Sequence, residues 1–315
     1  MAERAAAGSR LVIYAALAGN LAVAAVKLAA GLFTGSSAML SEAAHSLVDT
    51  GNQGLLLIGL RQAAQRPTAS HPFGHGLRLY FWSFVVAILI FGLGAGVSIY
   101  GGVLKIVSPR PVTDIWVNYW VLGAAFLIEG TTLVIGLREF RRSKDRRGWF
   151  EALRHSKDPT VFTVLMEDSA ALLGICVAAS GLLLSQLLHA PVFDGIASVL
   201  VGILLACTAW FLASECHGLL AGEAAAPEIC DNVRRLAQQP GVRRVNDVMS
   251  MHFGPSDVLL ALSLDFEDEM SAGAVQDAVT RIEQGIQRAH PEMTRIFVEA
   301  QRTQAHRSGL RSAAV

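Results

Sequence analysis

Six stretches of the chain, roughly 11–33, 38–60, 79–104, 115–137, 160–188 and 193–214, are apolar and long enough to cross a lipid bilayer. One crossing takes about 20 apolar residues. Hydrocarbon offers no partner to a free backbone amide, so such stretches become helices rather than irregular chain or open sheet. Turn-forming residues separate them, among them Ser108-Pro109-Arg110-Pro111 and His189-Ala190-Pro191. So few residues part the last two stretches that an antiparallel hairpin is predicted. Composition agrees: 52% of residues are hydrophobic and 17% charged, against about 25% charged in soluble domains. That excludes an ordinary soluble enzyme. The 26 basic and 26 acidic side chains cancel, so no global field points to a nucleic-acid partner. Four cysteines without a C-x-x-C pair indicate neither a disulfide framework nor a cysteine zinc knuckle.

Basic residues near the ends of the stretches set the orientation. The second connection holds Arg61, Arg66 and Arg78, and the fourth holds Arg138, Arg141, Arg142, Lys144, Arg146, Arg147, Arg154 and Lys157. The first and fifth hold no Lys or Arg. Six crossings with this asymmetry place both termini in the cytoplasm; a bacterial inner (plasma) membrane is the expected location. Trp149 and Phe150 are expected at the membrane interface. After residue 218 the pattern becomes that of a small α+β domain, in the order α-β-β-α-β. Residues 227–239 read as a helix, 242–253 and 257–266 as strands, 271–289 as a helix with Ser271 as N-cap, and 295–299 as a last strand. The domains are therefore 1–218 in the membrane, 219–302 in the cytoplasm, and a disordered tail 303–315.

Ionisable groups at membrane depth are costly and mark function by default. The second stretch contains SEAAHSLVDTGNQ, in which His45 and Asp49 stand at i and i+4 and share a helix face. Asn52 lies one turn beyond and Glu42 one turn before. An imidazole and a carboxylate at this spacing suit one divalent ion, or else bond to each other across a bundle without metal. The fifth stretch brings adjacent Glu167 and Asp168, about 100° apart on a helix, so both cannot serve one small site equally. Asp168 is the chosen ligand. Glu167 reads as a proton carrier, an alternative ligand or a structural hydrogen-bond partner. Glu129, deep in the fourth stretch, faces a polar pathway or pairs with a donor such as Asn20. Lys27 snorkels or pairs.

Taken together, GSSAMLSEAAHSLVDTGNQ, HPFGHGLRLYFW, FDGIASVLVGILL and SECHGLLAGE resemble the cation diffusion facilitators over about residues 10–302. LIEGTTLVIGLREF and MEDSAALLG look most like the branch that contains the animal mitochondrial zinc transporter. The resemblance implies six transmembrane helices, a ferredoxin-like cytoplasmic αββαβ domain and a homodimer formed through both parts. It implies a proton-coupled exporter of divalent metal, with Zn²⁺ as substrate and no cofactor. Carried over, the metal ligands are His45, Asp49 and Asp168. The usual second histidine is Val164, so Glu167, Glu129, Asn52 or water would complete the shell. Fewer imidazoles favour harder ions such as Mn²⁺ or Fe²⁺, and Co²⁺ and Cd²⁺ are further alternatives. Proton coupling falls to His45, Asp49, Asp168 and Glu167. A weaker loop site of the family matches His71 and His75, but Thr68 stands at its acidic position. In the tail, His252, His290 and Asp257 do not make up the metal set of some relatives, so dimerisation is its expected role. A channel or a metal sensor is the rival reading. A zinc hydrolase would need a motif such as H-E-x-x-H, which is absent.

Overall fold

The computed structural model describes residues 2–34, 37–109, 115–143 and 159–306. The chain separates into two compact units, residues 1–64 with 78–217, and 65–77 with 218–315.

Among its described residues the first unit holds helices and turns and no strand. In chain order it contains α1 (Ala2–Thr34), α2 (Ser37–Ala63), α3 (Leu77–Leu89), α4 (Gly96–Val107), α5 (Ile115–Ser143), α6 (Pro159–Leu187) and α7 (Val192–Leu220). A π-helical turn, Ile90–Ala95, joins α3 to α4 into one rod. The apolar sequence IFGLGA gave no sign of that turn. Among the described residues, five helices are long and apolar enough to cross a membrane. The sixth expected crossing is α2, a helix of 27 residues whose hydropathy is lowered by SEAAHSLVDTGNQ. The chain is a multi-pass integral membrane protein. The basic connection from Lys144 to Lys157, with Trp149 and Phe150, lies outside the described residues.

Lipid tails are as apolar as leucine, so helices in a membrane associate through close packing. Glycines provide it between α4 and α7. A Cβ on Gly102 would stand 2.7 Å from the Val199 nitrogen, one on Gly195 2.9 Å from Ile106 Cγ1, and one on Gly202 2.5 Å from Ile99 Cγ1. Elsewhere Val12, Ile13, Leu56, Val86, Phe162, Val164 and Leu212 form a buried cluster contributed by α1, α2, α3, α6 and α7.

The second unit holds α8 (Pro227–Ala237), β1 (Val242–Gly254), β2 (Asp257–Phe266), α9 (Ala272–Ala289) and β3 (Met293–Ala300). The α-β-β-α-β order matches expectation. The strand order is β1-β2-β3, antiparallel between β1 and β2 and parallel between β2 and β3. Alternation on β2 buries Val258, Leu260, Leu262 and Leu264 against Ile282 and Ile286 of α9. Ser271 caps α9, its hydroxyl accepting from the Ala274 amide at 3.2 Å. Opposite the helices, Met249, Ala261 and Phe297 form one row across the three strands. The disordered tail expected from residue 303 is corrected for 303–306, a helical turn in which Thr303 donates twice to Asp265 Oδ2, at 3.0 and 2.8 Å. Those bonds hold the Asp265 carboxyl below the usual carboxylate range.

Residues 65–77 cluster with this second unit, although the sequence placed them within 1–218. Phe73 stacks on Phe253 with ring centroids 5.3 Å apart. The Arg295 guanidinium lies 5.7 Å from the Phe73 ring and pairs with Asp257 at 2.6 Å. Gly76 fits because any Cβ there would stand 2.1 Å from the Phe253 carbonyl oxygen.

The helix packing yields a prediction. Gly202→Val forces α4 and α7 apart and should cost about 1–3 kcal/mol, read as a lowered melting temperature in detergent. A Cβ at Gly123 meets nothing within 4 Å, so Gly123→Val should leave the melting temperature nearly unchanged.

Candidate metal site in the membrane helices

The polar residues of α2 keep their helical spacing, and α2 is where the site begins. Asp49 is partly buried, Asn52 is 1% exposed and Gln53 is fully buried. The His45 backbone belongs to the same helix; its side chain, with that of Glu42, lies outside the described residues. From α6, Asp168 is 2% exposed. Adjacent Glu167 and Asp168 diverge as the helical pitch requires. Glu167 turns to α2, where Gln53 Nε2 donates to its Oε2 at 2.8 Å. Asp168 stands against Thr132 of α5. Thr132 itself donates to the Glu129 carbonyl at 2.8 Å, within α5. Asp49, Glu129 and Asp168 are all close enough to Glu167 to act on its charge. Three helices thus contribute four carboxylates to one region. No hydrogen bond joins Glu129 to Asn20 among the described residues.

Among the described residues, several polar atoms in this region have no hydrogen-bond partner. Both side-chain atoms of Asn52, Gln53 Oε1, Glu167 Oε1 and Asp168 Oδ2 are buried without a hydrogen bond. Each such atom costs on the order of 1–3 kcal/mol, and folded proteins rarely tolerate several together. Oxygen-rich donor sets of this kind suit a divalent cation. Among the described residues, no three His, Cys, Asp or Glu side chains are gathered tightly enough to hold a metal ion. The carboxylates surround a region rather than form a closed cage.

Val164, at the position of the usual second histidine, is 1% exposed and packs with Val12, Ile13 and Phe162. The α6 position one turn before Asp168 is therefore apolar. The loop histidines belong to the second unit. His71 and His75 have ring centroids 4.5 Å apart, and His71 Nδ1 bonds to Ser70 Oγ at 3.0 Å. The Thr68 hydroxyl accepts from the His71 amide at 3.2 Å, a turn contact rather than a ligand. In the tail, His290 Nε2 bonds to Asn232 Oδ1 at 3.1 Å and His252 Nδ1 lies 3.4 Å from the Gly254 carbonyl. Both contacts lie within the second unit.

Residues 13–221, which span α1 to α7, match the cation efflux transmembrane domain. The chain belongs to the cation efflux family. It is 37% identical over 247 residues to the mitochondrial proton-coupled zinc antiporter SLC30A9 of Xenopus laevis, covering 76% of this chain and 44% of that protein. Metal tolerance protein C4 of Arabidopsis thaliana is 29% identical over 265 residues, 83% of this chain and 58% of that one. The cation-efflux pump FieF of Escherichia coli is 26% identical over 269 residues, 84% of each. Within the family the chain falls in the SLC30A9-like branch, and it spans less than half the length of the SLC30A9 proteins it matches.

Sequence reasoning passed over Gln53, although it follows Asp49 at i+4, the same spacing as His45 and Asp49. Its role shows only when Glu167 of α6 is brought to it. Gln53→Leu leaves Glu167 Oε2 without its donor and should lower thermal stability by roughly 1–3 kcal/mol. The double variant Gln53→Leu with Glu167→Leu should recover most of that loss. Additive losses in the two single variants would show that the pair is not coupled.

Proposed function

We propose that this protein is a secondary transporter that exports a divalent metal, Zn²⁺ first, from the cytoplasm in exchange for protons. The observation that carries this reading is the group of buried, unpartnered polar atoms on α2 and α6, beside four carboxylates inside membrane helices. Such groups are retained at this depth where an ion passes. His45, Asp49 and Asp168 are the ligands; Glu167, Glu129 and Asn52 stand near to complete the shell. The relatives named as a zinc antiporter, a metal tolerance protein and a cation-efflux pump support the same reading.

The chemistry of exchange follows from the donors. A metal ion needs neutral imidazole and ionised carboxylates, so metal and protons compete for the same atoms. Metal enters from the cytoplasmic side, the helices rearrange to open the site outwards, and protons displace the ion. With Val164 in an apolar wall, oxygen donors outnumber imidazole, which relaxes selectivity toward harder ions such as Mn²⁺ and Fe²⁺; Co²⁺ and Cd²⁺ are the further alternatives. The α2 helix is the sixth crossing in this reading, and both termini are cytoplasmic. The second unit is a ferredoxin-like module that pairs two copies of the chain through the face carrying Met249 and Phe297, each 54% exposed. An apolar row on an otherwise open sheet face suits a second copy of itself, since one twofold axis covers both rows at once.

In proteoliposomes with a metal-sensitive dye, inward-directed Zn²⁺ flux should saturate and should be accelerated by an opposing proton gradient. Asp49→Asn and Asp168→Asn should each reduce it at least about a hundredfold, to the level of protein-free vesicles. Unchanged flux in both variants would overturn the site. Flux that neither saturates nor responds to pH would identify a channel, and binding without flux a sensor. Separately, Phe297→Asp should shift the detergent-solubilised protein toward the monomer in light scattering; a fully retained dimer would overturn the sheet interface.

A further inference from the structure

Lys27 carries a basic group well inside α1. It stands seven positions before the helix end at Thr34, about 10 Å at 1.5 Å per residue. Its side chain does not run out along the helix. Nζ donates to Ser46 Oγ of α2 at 3.0 Å, and Ser46 is 3% exposed. Ser46 precedes Asp49 by three residues, so the two lie on neighbouring turns of one α2 face. Across the bundle, the charges of both Lys27 and Asp49 bear on Glu129 of α5. An ammonium from α1 is therefore held against α2 at Ser46, one turn from Asp49, and within electrostatic reach of Glu129 of α5. An ammonium in an apolar surrounding is costly unless opposite charge stands close to it. The carboxylates provide that charge, and in return the ammonium offsets part of theirs.

We propose that Lys27 is a built-in competitor for the divalent cation. Its tethered ammonium balances the carboxylates when the metal is absent and opposes the metal when it is bound. The effect is to weaken the hold on the cargo so that it can be released. The lysine stem suits this task, because a compact ammonium on a flexible chain can withdraw when a second cation arrives. Like charges several ångströms apart at an effective dielectric of about 20 suffice to change affinity about tenfold. The inference rests on the reading of these carboxylates as the cargo site.

The test uses the full-length chain in proteoliposomes, with Zn²⁺ uptake followed over a range of Zn²⁺ concentrations. Lys27→Met and Lys27→Gln should lower KM about tenfold and also lower the maximal rate, because release slows. Lys27→Arg, which keeps the positive charge, should stay within about threefold of the wild type in both. A merely structural Lys27 would lower the maximal rate without tightening KM. Should Lys27→Met fail to insert stably, Lys27→Gln retains a donor for Ser46 Oγ and carries the measurement. An unchanged or raised KM in Lys27→Gln overturns the proposal. Absence of Zn²⁺ uptake by the wild type overturns the transport reading instead.

Discussion

The price of a charge in hydrocarbon governs the architecture of the membrane unit. Asp49, Glu129, Glu167 and Asp168 stand in helices whose outer faces are leucine, isoleucine, valine and phenylalanine. All four lie at least eight residues inside the ends of their helices. Each must find polar company within the bundle, and the helices supply it unevenly. Gln53 satisfies one oxygen of Glu167 and Thr132 stands by Asp168. Among the described residues, Asn52 has neither its side-chain donor nor its acceptor engaged. A fully satisfied network would be a rigid structural core; a partly satisfied one is a place where an ion gains by entering.

Two kinds of helix contact coexist around that region. Between α4 and α7 the backbones approach so closely that Gly102, Gly195 and Gly202 admit no side chain. Around the carboxylates, by contrast, the contacts are polar and incompletely paired. Close packing gains dispersion energy that is lost on the first displacement, whereas an unpaired polar atom loses little when its neighbour moves. The same unit thus contains a closely packed glycine seam and a polar region that is incompletely paired among the described residues.

Much of this was legible in the sequence because both periodicities are strong. In the second unit the strand boundaries fall within two residues of expectation, since alternation on β2 and the Ser271 cap are local signals. The helices of the first unit run past the apolar stretches at several ends, because a helix continues into polar residues that hydropathy discards. Long-range pairings were not legible. Phe73 meets Phe253, and Arg295 reaches both Phe73 and Asp257, yet nothing in the local pattern of HPFGH announces a partner 180 residues away. The turn at 303–306 depends likewise on Asp265. Of the site, the carboxylates stood out because charge is rare in such helices. Gln53 and Ser46 did not, because a neutral polar residue in α2 carries no comparable signal until its partner is known.

Electrostatic balance connects the site to the exchange proposed for it. A divalent ion among carboxylates adds two positive charges to a region of low dielectric. If two protons replace it, the region keeps its net charge and the helices can rearrange at little electrostatic cost. If only one proton returns, a negative charge is left uncovered, and burying one uncompensated carboxylate costs several kcal/mol. An ammonium held within the same cluster changes that balance, because it moves with the protein and never leaves. It can cover a carboxylate in the interval between the departure of metal and the arrival of protons, when the site would otherwise carry its greatest unbalanced charge. Lys27, joined to Ser46 one turn from Asp49, occupies the position in which a single fixed cation would smooth that interval.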